Sequence, residues 1–356
     1  MAKWFEKIFI ISKAKHMKSP LVSVIILNWN GKKWLEKCLP SFSKVKYPNI
    51  EMIVVNNGSS DNSDSYIKKN FPNIKIVKII KNVGYAKASN IGADNASGKY
   101  LLFINNDTSV TPDFLSPLVK DLETDKTIGI VQPQIRSMIN TELLDSVGAF
   151  LTFTGFLYYF GLLKPYSNKI YQKPMFVYSI KGACFIISKE DYVKLGGFDV
   201  SFFSYVEETD LCHRMWLFGK KVLYDPKSYM YHWGGGDTQM VTKTEATIYR
   251  SFRNRLYSYF KNFSLIELMK ILPAHFVMCE LYVLLFFVRL QLNKAIAVQL
   301  ATFGWIFNLP SILKKRSYIQ SKIRKVSDGE IGKYIKKEPR ISYYWQILID
   351  IKNYRD

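Results

Sequence analysis

The chain has 356 residues, of which 48% are hydrophobic and 15% aromatic, and 50 Lys and Arg against 29 Asp and Glu give it a formal net charge of +21. This length and composition exclude a disordered chain and favour one large α/β domain with an appendage, or two ordinary domains. The four cysteines lie far apart with no Cys-x-x-Cys pair, which argues against a disulfide framework or a structural zinc site and favours a reducing compartment.

The first 19 residues predict a short amphipathic leader. Apolar side chains recur among lysines at roughly helical spacing. They are Trp4, Phe5, Ile8, Phe9 and Ile11. The continuous apolar run covers only residues 8–11, which is too short for the core of a signal peptide, so export is not expected. An interfacial membrane anchor and a frayed leader both fit this pattern.

From residue 21 onward, strand and helix patterns alternate. Residues 21–27 form a β-branched, almost continuous apolar run, which is typical of a strand covered on both faces. Similar runs predict strands at 51–55, 74–80 and 100–104, and helical spacing predicts helices at 32–42 and 85–96. This order indicates right-handed βαβ units and a mainly parallel sheet, with ligands expected at the carboxyl ends of its strands.

Each predicted strand is followed by a polar turn. The turns are NWNG, NNGSSDNS, NVGYAKASNIG and NNDTSVTPDF, which begin at Asn28, Asn56, Asn82 and Asn105. The sequence contains neither GxGxxG nor GxxxxGK[ST], the fingerprints of dinucleotide sites and P-loops. Together the turns offer hydrogen bonds to a base, a ribose and phosphates, and an acid for a metal. Taken singly, each turn is equally typical of ordinary loop chemistry.

With these turns the chain, from about residue 21 to residue 236, resembles the family 2 glycosyltransferases, inverting enzymes of the GT-A fold that use nucleotide-activated sugars. It is most similar to the rhamnosyltransferase-like branch, and the similarity extends through YRSFRNRLYSYFKN at 249–262. The resemblance implies an α/β fold with a Rossmann-like, mainly parallel sheet flanked by helices. It also implies a set of residues that bind the donor nucleotide. They are Asn28, Asn30, Asn57, Ser59, Asp61, Asn82, Gly84, Ala88, Asn90 and Asn106.

The resemblance further implies a divalent metal, Mn²⁺ or Mg²⁺. The family's D-x-D-like motif falls on Asn105, Asn106 and Asp107, so only Asp107 retains a carboxylate. His232, in YHWGGGD, matches the family's H-x-x-G element and is predicted to be a second metal ligand or a diphosphate contact. Because these ions prefer oxygen ligands and the donor phosphates can complete the octahedron, one protein carboxylate can suffice.

The predicted catalytic base lies in FFSYVEETDLCHR at 202–214. Glu207, Glu208 and Asp210 begin a predicted helix, whose positive end favours their ionised forms. The family pattern E-D-x-D-L puts the base at the second acid, which is Glu208 here, where the family usually has Asp. Glu207 and Asp210 are then expected to support the acceptor or the helix, and helix capping explains them equally well.

The C-terminal third carries +12 of the net charge over residues 240–356, against +9 over residues 1–239. Apolar stretches at 271–288 and 295–313 approach the length of a spanning helix but contain prolines and polar residues, and six basic residues follow between 314 and 325. These features predict a helical, basic, membrane-associated region at 241–356, on the cytoplasmic face, behind a transferase domain at 20–240. A buried helical hairpin with a solvated basic tail is the alternative.

Together these features predict transfer of one sugar from a UDP-, dTDP- or GDP-linked donor to a hydroxyl of a saccharide acceptor, expected to be lipid-linked, in the synthesis of a cell-surface polysaccharide or glycan. Processive synthases of the family carry Q-x-x-R-W, whereas Arg214 and Trp216 have no glutamine in register. The aromatic-rich residues 143–171 are expected to line an acceptor groove, the core or a membrane contact. Nucleic acid is not an expected partner, because the sequence contains no recognisable nucleic-acid module. The rival prediction is a non-catalytic relative, a membrane-bound nucleotide-sugar binder or assembly subunit.

Overall fold

The computed structural model describes residues 19–234 and 244–344, so the predicted leader lies almost wholly outside the described residues. The strands are β1 (Val22–Asn28), β2 (Ile50–Asn57), β3 (Lys75–Ile79), β4 (Tyr100–Asn105), β5 (Thr108–Val110), β6 (Ile128–Ser137), β7 (Leu144–Ser146), β8 (Gly148–Leu151), β9 (Leu157–Phe160), β10 (Met175–Phe176), β11 (Cys184–Ser188) and β12 (Lys221–His232). The helices are α1 (Lys32–Phe42), α2 (Ser63–Asn70), α3 (Tyr85–Asp94), α4 (Leu115–Thr124), α5 (Lys189–Lys194), α6 (Glu207–Leu217), α7 (Glu245–Asn262), α8 (Leu265–Val288), α9 (Leu292–Gly304), α10 (Leu309–Tyr318) and α11 (Asp328–Ile335).

One mixed sheet forms the centre of the molecule. Its strands follow the order β10-β12-β6-β11-β4-β1-β2-β3, with β5 beside β12 and β7 beside β6. Strands β3, β2, β1 and β4 are parallel neighbours, which confirms the predicted α/β fold and its mainly parallel sheet. Strand β11 runs antiparallel to both β4 and β6, and β8 and β9 form a separate antiparallel pair.

Apolar side chains hold the central strands on both faces. Val24 and Ile26 of β1 join one buried cluster, which α1 covers with Leu35 and Leu39, while Ile25 points into the cluster on the opposite face. Alternate residues of a strand point to opposite faces, so a continuous apolar run is needed here. Each such side chain contributes about 1.5–3 kcal/mol on full burial, which fixes the strand ends that carry the polar turns.

Strand β11 brings a distant segment to the carboxyl end of β4. Cys184 pairs with Ile104, and the Asn105 N–H donates to the Ala183 carbonyl at 3.0 Å. Because β11 runs against β4, its first residues lie where β4 ends. Residues 181–183 therefore lie beside the predicted metal-binding turn.

Helices α8 and α9 form an apolar hairpin. Its inner side packs Met278, Cys279 and Val298 against Phe156 and Phe252. Its outer side exposes large apolar side chains along both helices. They include Val277, Leu284, Phe287, Val288, Ile296, Leu300 and Phe303. By length and composition, the helical stretches Leu265–Val288 and Leu292–Ile323 could each cross a membrane.

Buried charges join the C-terminal helices to the sheet domain. Lys261, in α7, is 2% exposed and forms ion pairs with Asp199 at 2.5 Å and with Asp210 at 3.0 Å. Arg214 pairs with Asp210 at 2.8 Å, and Lys315 pairs with Asp199 at 2.5 Å. The predicted domain boundary at 240 falls among residues 235–243, outside the described residues, and the helices that follow it share this buried network with α6.

Three of the six basic residues predicted to face lipid are used inside the protein. Lys315 is paired with Asp199, Arg316 donates to backbone carbonyls at the end of α7, and Arg324 is paired with Asp328. The carbonyls that end a helix attract cations, which explains the position of Arg316. The prediction that all six form one lipid-facing cluster is therefore wrong, and the other three are exposed.

Removing the central cation of this network should destabilise the fold. We expect Lys261→Met to lower the free energy of unfolding by about 3 kcal/mol, the lower end of the range for a broken buried pair, because other cations remain near the two aspartates. The matched control is Lys46→Met, since Lys46 pairs with Asp113 at 3.1 Å on the surface and should contribute about 0–1 kcal/mol. Urea denaturation measures both, and equal losses would contradict the buried-network assignment.

Candidate active site

One buried asparagine joins three of the predicted turns. Asn28, at the end of β1, donates to the hydroxyls of Ser59 at 3.3 Å and Ser63 at 3.0 Å and accepts from the amide of Asn106 at 2.8 Å. Gly31 lies so close that an added Cβ would be 2.1 Å from Nδ2 of Asn106. The network therefore needs glycine at this position, and it ties the turns after β1, β2 and β4 together.

Hydrogen bonds also hold the outer residues of these turns, Asn30 and Asp61, in place. Asn30, at φ +49°, donates its N–H to the Ser59 hydroxyl at 3.0 Å and accepts from the Ser60 N–H at 2.8 Å. Asp61 accepts from the Lys32 N–H at 2.7 Å, at the start of α1. Burial opposes ionisation of Asp61, but hydrogen bonds from the backbone lower its pKa below the ordinary value. A carboxylate is thus held ready beside a helix N-terminus.

The turn after β3 is fixed through a pair of asparagines. Asn57 donates to the Asn82 side chain at 3.0 Å, and Asn82 accepts from the Gly84 N–H at 2.9 Å. Gly84 has φ +84°, and an added Cβ would lie 2.5 Å from the Phe203 carbonyl oxygen. Both the dihedral angle and the close approach require glycine.

Two residues of the NVGYAKASNIG segment make packing and hydrogen-bond contacts within the protein. Ala88 is fully buried in the core, and the side chain of Asn90 is committed to the turn before α6. Asn90 donates to the Phe198 carbonyl at 2.9 Å and accepts from the Phe198 N–H at 2.9 Å and from the Tyr192 hydroxyl. These contacts hold α3 in place, and binding of the donor by Ala88 and Asn90 stays a prediction.

A line of alternating charges lies behind the turn after β4. Nε2 of His232 is 3.3 Å from Oδ1 of Asp107, Nδ1 of His232 is 2.8 Å from Asp145, and the ammonium of Lys181 is 2.9 Å from Asp145. Burial alone would favour a neutral imidazole, but the two carboxylates raise the pKa of His232 to about 9. Against the same burial, Lys181 and His232 hold the pKa of Asp145 below its ordinary value, and His232 does so for Asp107.

Two atoms at the end of this line fit a metal ion. Oδ1 of Asp107 and Nε2 of His232 are buried, and among the described residues these two atoms meet only each other, as an ion pair. Because the raised pKa of His232 keeps a proton on its imidazole, a metal ion bound here would have to replace that proton. Two ligands bound at right angles, each at about 2.1 Å, lie about 3 Å apart, which matches their 3.3 Å separation. Among residues 19–234 and 244–344 no cluster of three or more His, Cys, Asp and Glu side chains is arranged for a metal. The remaining coordination positions would fall to water or substrate oxygens.

The acidic pair at the start of α6 has two different proton affinities. Burial raises the pKa of Glu208 to about 6, against the opposing charge of Lys181. Burial and the charge of Glu208 raise the pKa of Glu207 well above its ordinary value. Glu208 is therefore the member of the pair that ionises more readily. Neighbouring acids whose pKa values are pushed apart are typical of acid–base sites.

Glu208 lies on the same side of the sheet edge as the line of charges. Its side chain packs over the backbone of Gly182, where an added Cβ would be 3.7 Å from its Cγ. Gly182 is flanked by Lys181, which contacts Asp145, and by Ala183, which accepts from the N–H at the end of β4. A short stretch of backbone before β11 thus connects the carboxylates of residues 107 and 208.

Sequence analysis missed Asp145 and Lys181. Asp145 comes from β7, in the aromatic-rich segment at 143–171, whose other side chains are mostly core. An isolated acid in an apolar run was the available signal for Asp145, and a lysine directly before a glycine was the signal for Lys181. Neither indicates by itself which partner the side chain meets.

Residues 23–196 match the family model of glycosyl transferase family 2. These residues form a family 2 glycosyltransferase domain. The poly-beta-1,6-N-acetyl-D-glucosamine synthase of Staphylococcus epidermidis is 30% identical over 140 residues, which are 38% of this chain and 34% of that protein. The chain spans less than two fifths of the length of the curated relatives it matches first.

Two solved structures share the fold of this glycosyltransferase domain and the helices around it. The crystal structure of GalNAc-T7 with UDP, GalNAc and Mn²⁺ has a TM-score of 0.55 at 21% identity and covers 69% of this chain and 48% of that chain. The mannosyltransferase PcManGT from Pyrobaculum calidifontis, in complex with GDP-Man and Mn²⁺, has a TM-score of 0.51 at 16% identity and covers 86% of this chain and 85% of that chain. These likenesses confirm the GT-A architecture predicted from the sequence.

The carboxylate of Asp145 should be needed for metal binding although it does not face the ion. A carboxylate on Nδ1 fixes the imidazole tautomer that leaves Nε2 free, and loss of such a partner typically costs tenfold to a hundredfold in affinity. We expect Asp145→Asn to weaken Mn²⁺ binding by about tenfold. Titration followed by electron paramagnetic resonance measures it, with the exposed Asp113→Asn as control. Equal affinity in both variants would contradict the assignment.

Proposed function

We propose that this protein transfers one sugar from a nucleotide-sugar donor to a hydroxyl of a saccharide acceptor, with inversion at the anomeric carbon. The supporting observation is that Glu208, whose pKa is about 6, and Asp107 and His232, which fit a metal ion, are connected through residues 181–183 at the end of β4. Most strands of this sheet lie within the residues that match glycosyl transferase family 2. A single displacement needs those two functions and no covalent nucleophile. The donor class is a UDP-, dTDP- or GDP-linked sugar, and dTDP-rhamnose is the candidate that the sequence resemblance favours.

In the proposed reaction, different residues act on the acceptor side and on the diphosphate side of the reacting carbon. Glu208 accepts the proton of the acceptor hydroxyl as the new bond forms, a role that requires its ionised form. The pKa of Glu207 is raised by burial and by the charge of Glu208, which favours the negative charge on Glu208. Asp107 and His232 would hold Mn²⁺ or Mg²⁺, which when bound stabilises the charge that develops on the departing diphosphate.

The donor's nucleotide is proposed to bind along the three joined turns. Asn28, Ser59 and Asn106 already satisfy one another, so the recognition surface needs no reorganisation when the ligand arrives. Asp61, kept ionised by backbone N–H groups, suits the hydroxyls of a ribose. Preorganisation of this kind lowers the entropic cost of binding.

The acceptor is proposed to be lipid-linked and the protein to act at the cytoplasmic face of a membrane. About three quarters of α8, up to Tyr282, is committed to the domain, since His275 stacks on Phe156 at 4.9 Å and Tyr282 stacks on the same ring at 5.6 Å. The residues of α8 beyond Tyr282 extend only about 9 Å, against about 30 Å for a bilayer core. A hairpin that enters one leaflet therefore fits better than a spanning helix.

The base assignment predicts a large, specific loss of activity. We expect Glu208→Gln to lower the rate of sugar transfer or donor hydrolysis with Mn²⁺ by about 10² to 10⁴-fold. Glu207→Gln is the matched control, because the raised pKa of Glu207 favours the neutral form that an amide mimics, and it should lose far less. Steady-state assays with dTDP-rhamnose, UDP-GlcNAc and GDP-mannose measure both variants. Equal losses would contradict the assignment.

The same assignment predicts the pH dependence. Glu208 must be ionised, and its pKa is about 6, so the rate should be constant above that pH and fall about tenfold per unit below it. The pH–rate profile of the wild-type protein measures this limb. A limb near pH 4, the ordinary value for a glutamate, would show that another group or another environment controls the reaction.

The proposal that the hairpin enters the membrane predicts that charged substitutions on its outer face abolish membrane binding. Phe287 and Phe303 are 61% and 50% exposed, and glutamates there should be strongly disfavoured in the apolar layer. We expect Phe287→Glu with Phe303→Glu to release the protein from vesicles containing anionic lipid. Phe153→Glu is the control, since Phe153 is 58% exposed but lies outside the hairpin. Co-sedimentation measures both, and retention of the double variant would contradict the proposal.

A further inference from the structure

The backbone just before the acidic pair is held in an unfavourable conformation. Phe203, Tyr205 and Val206 have φ values of +61°, +72° and +72°. Residues with a Cβ are strongly disfavoured in this region, and β-branched Val206 most of all. Such conformations persist only where surrounding contacts over-determine them. This segment, residues 202–206, leads directly into Glu207 and Glu208.

One side chain supplies most of that restraint. Asn254, in α7, is fully buried, and its Nδ2 lies 2.9 Å from the Phe202 carbonyl, 2.9 Å from the Ser204 carbonyl and 2.8 Å from the Tyr205 carbonyl. Its Oδ1 accepts from the Arg253 guanidinium at 2.9 Å. Every polar atom of the carboxamide is therefore used.

The chemistry of the contact requires an amide. Three carbonyl oxygens converge on one nitrogen, and a carboxylate in its place would face them with negative charge. The neighbouring guanidinium orients the amide, because Arg253 also donates to the Ser201 carbonyl at 2.6 Å and stacks over Tyr257. These contacts explain why Arg253 and Asn254 are adjacent in the YRSFRNRLYSYFKN segment.

The other side of the restrained segment touches the turn after β3. The Phe203 carbonyl accepts from the Ala86 N–H at 3.2 Å, at the start of α3. The same carbonyl oxygen is the atom that an added Cβ on Gly84 would strike. The segment therefore bridges the candidate donor turn and the helix that carries Glu208.

We propose that Asn254 is a positioning residue, which clamps residues 202–206 so that Glu208 is held at a fixed place relative to the donor turn at Gly84. This assignment rests on the proposed function, because it acts through the proposed base and the proposed donor site. Displacement of a catalytic group by about 1 Å can cost on the order of a hundredfold in rate.

The test compares Asn254→Ala in the full-length protein with Val298→Ala, a buried truncation in α9 that packs against the other side of α7. With Mn²⁺ and whichever of dTDP-rhamnose, UDP-GlcNAc and GDP-mannose the wild-type protein turns over, we expect Asn254→Ala to lower kcat on the order of tenfold to a hundredfold. The donor KM should change less than about threefold, since the substitution removes a restraint that positions Glu208 in the transition state and does not remove a contact with the donor. Val298→Ala should lower the melting temperature comparably and leave kcat unchanged.

Hydrogen exchange supplies a readout that is independent of turnover. Asn254→Ala should accelerate exchange in peptides covering 83–90 and 202–210, whereas Val298→Ala should not. Asn254→Ser, which keeps one donor, should be intermediate in kcat and in exchange, and it replaces Asn254→Ala should that variant fail to fold.

Two results would overturn the clamp: equal kcat in the Asn254 and Val298 variants, or equal exchange of the two peptides in both. Failure of the wild-type protein to turn over any of the three sugars would count against the proposed function instead. The exchange comparison would then still decide whether Asn254 restrains residues 202–206.

Discussion

Lys181 lies between the two halves of the candidate site, because its ammonium is 2.9 Å from Asp145 and its charge opposes the rise in the pKa of Glu208. On one side of it, Asp145 orients His232 toward Asp107. On the other side, Gly182 supports Glu208. Buried charges of alternating sign stabilise one another only as a complete set, since each removal leaves an uncompensated neighbour. The antiparallel start of β11 is what brings this lysine to the end of a parallel strand.

How far the sequence predicts this arrangement depends on how far apart the contacting residues lie along the chain. The alternation of apolar runs predicted the central strands and helices, because period and length are local properties. Asp107, Glu208 and His232 were reached through motifs, whereas Asp145 is 87 residues from His232 and no local pattern joins them. Ala88 and Asn90 lie in a motif but make internal contacts, and a motif's spacing does not by itself separate residues that bind from residues that pack. Likewise, a count of basic residues does not show which of them face outward and which, like Arg316, donate hydrogen bonds to backbone carbonyls inside the protein.

Helix α7 connects the apolar hairpin to the chemistry. Phe252 packs on the hairpin, Asn254 holds the segment before Glu208, and Lys261 pairs with Asp199 and Asp210. Helix α7 thus contacts the apolar hairpin on one side and the acidic helix α6 on the other. The C-terminal region is therefore part of the same packed unit as the glycosyltransferase domain, and its charge serves internal contacts as much as the surface.

The amide at the middle position of NND has a physical reason within this network. Asn106 donates through its amide to Oδ1 of Asn28, whose own amide is used by Ser59 and Ser63. An aspartate at 106 would put a carboxylate against that acceptor oxygen and break the junction of three turns. Asp107, by contrast, directs its Oδ1 toward Nε2 of His232, at 3.3 Å. Adjacent side chains thus have different roles: the amide of Asn106 joins the turns, and the carboxylate of Asp107, with His232, remains available for a cation.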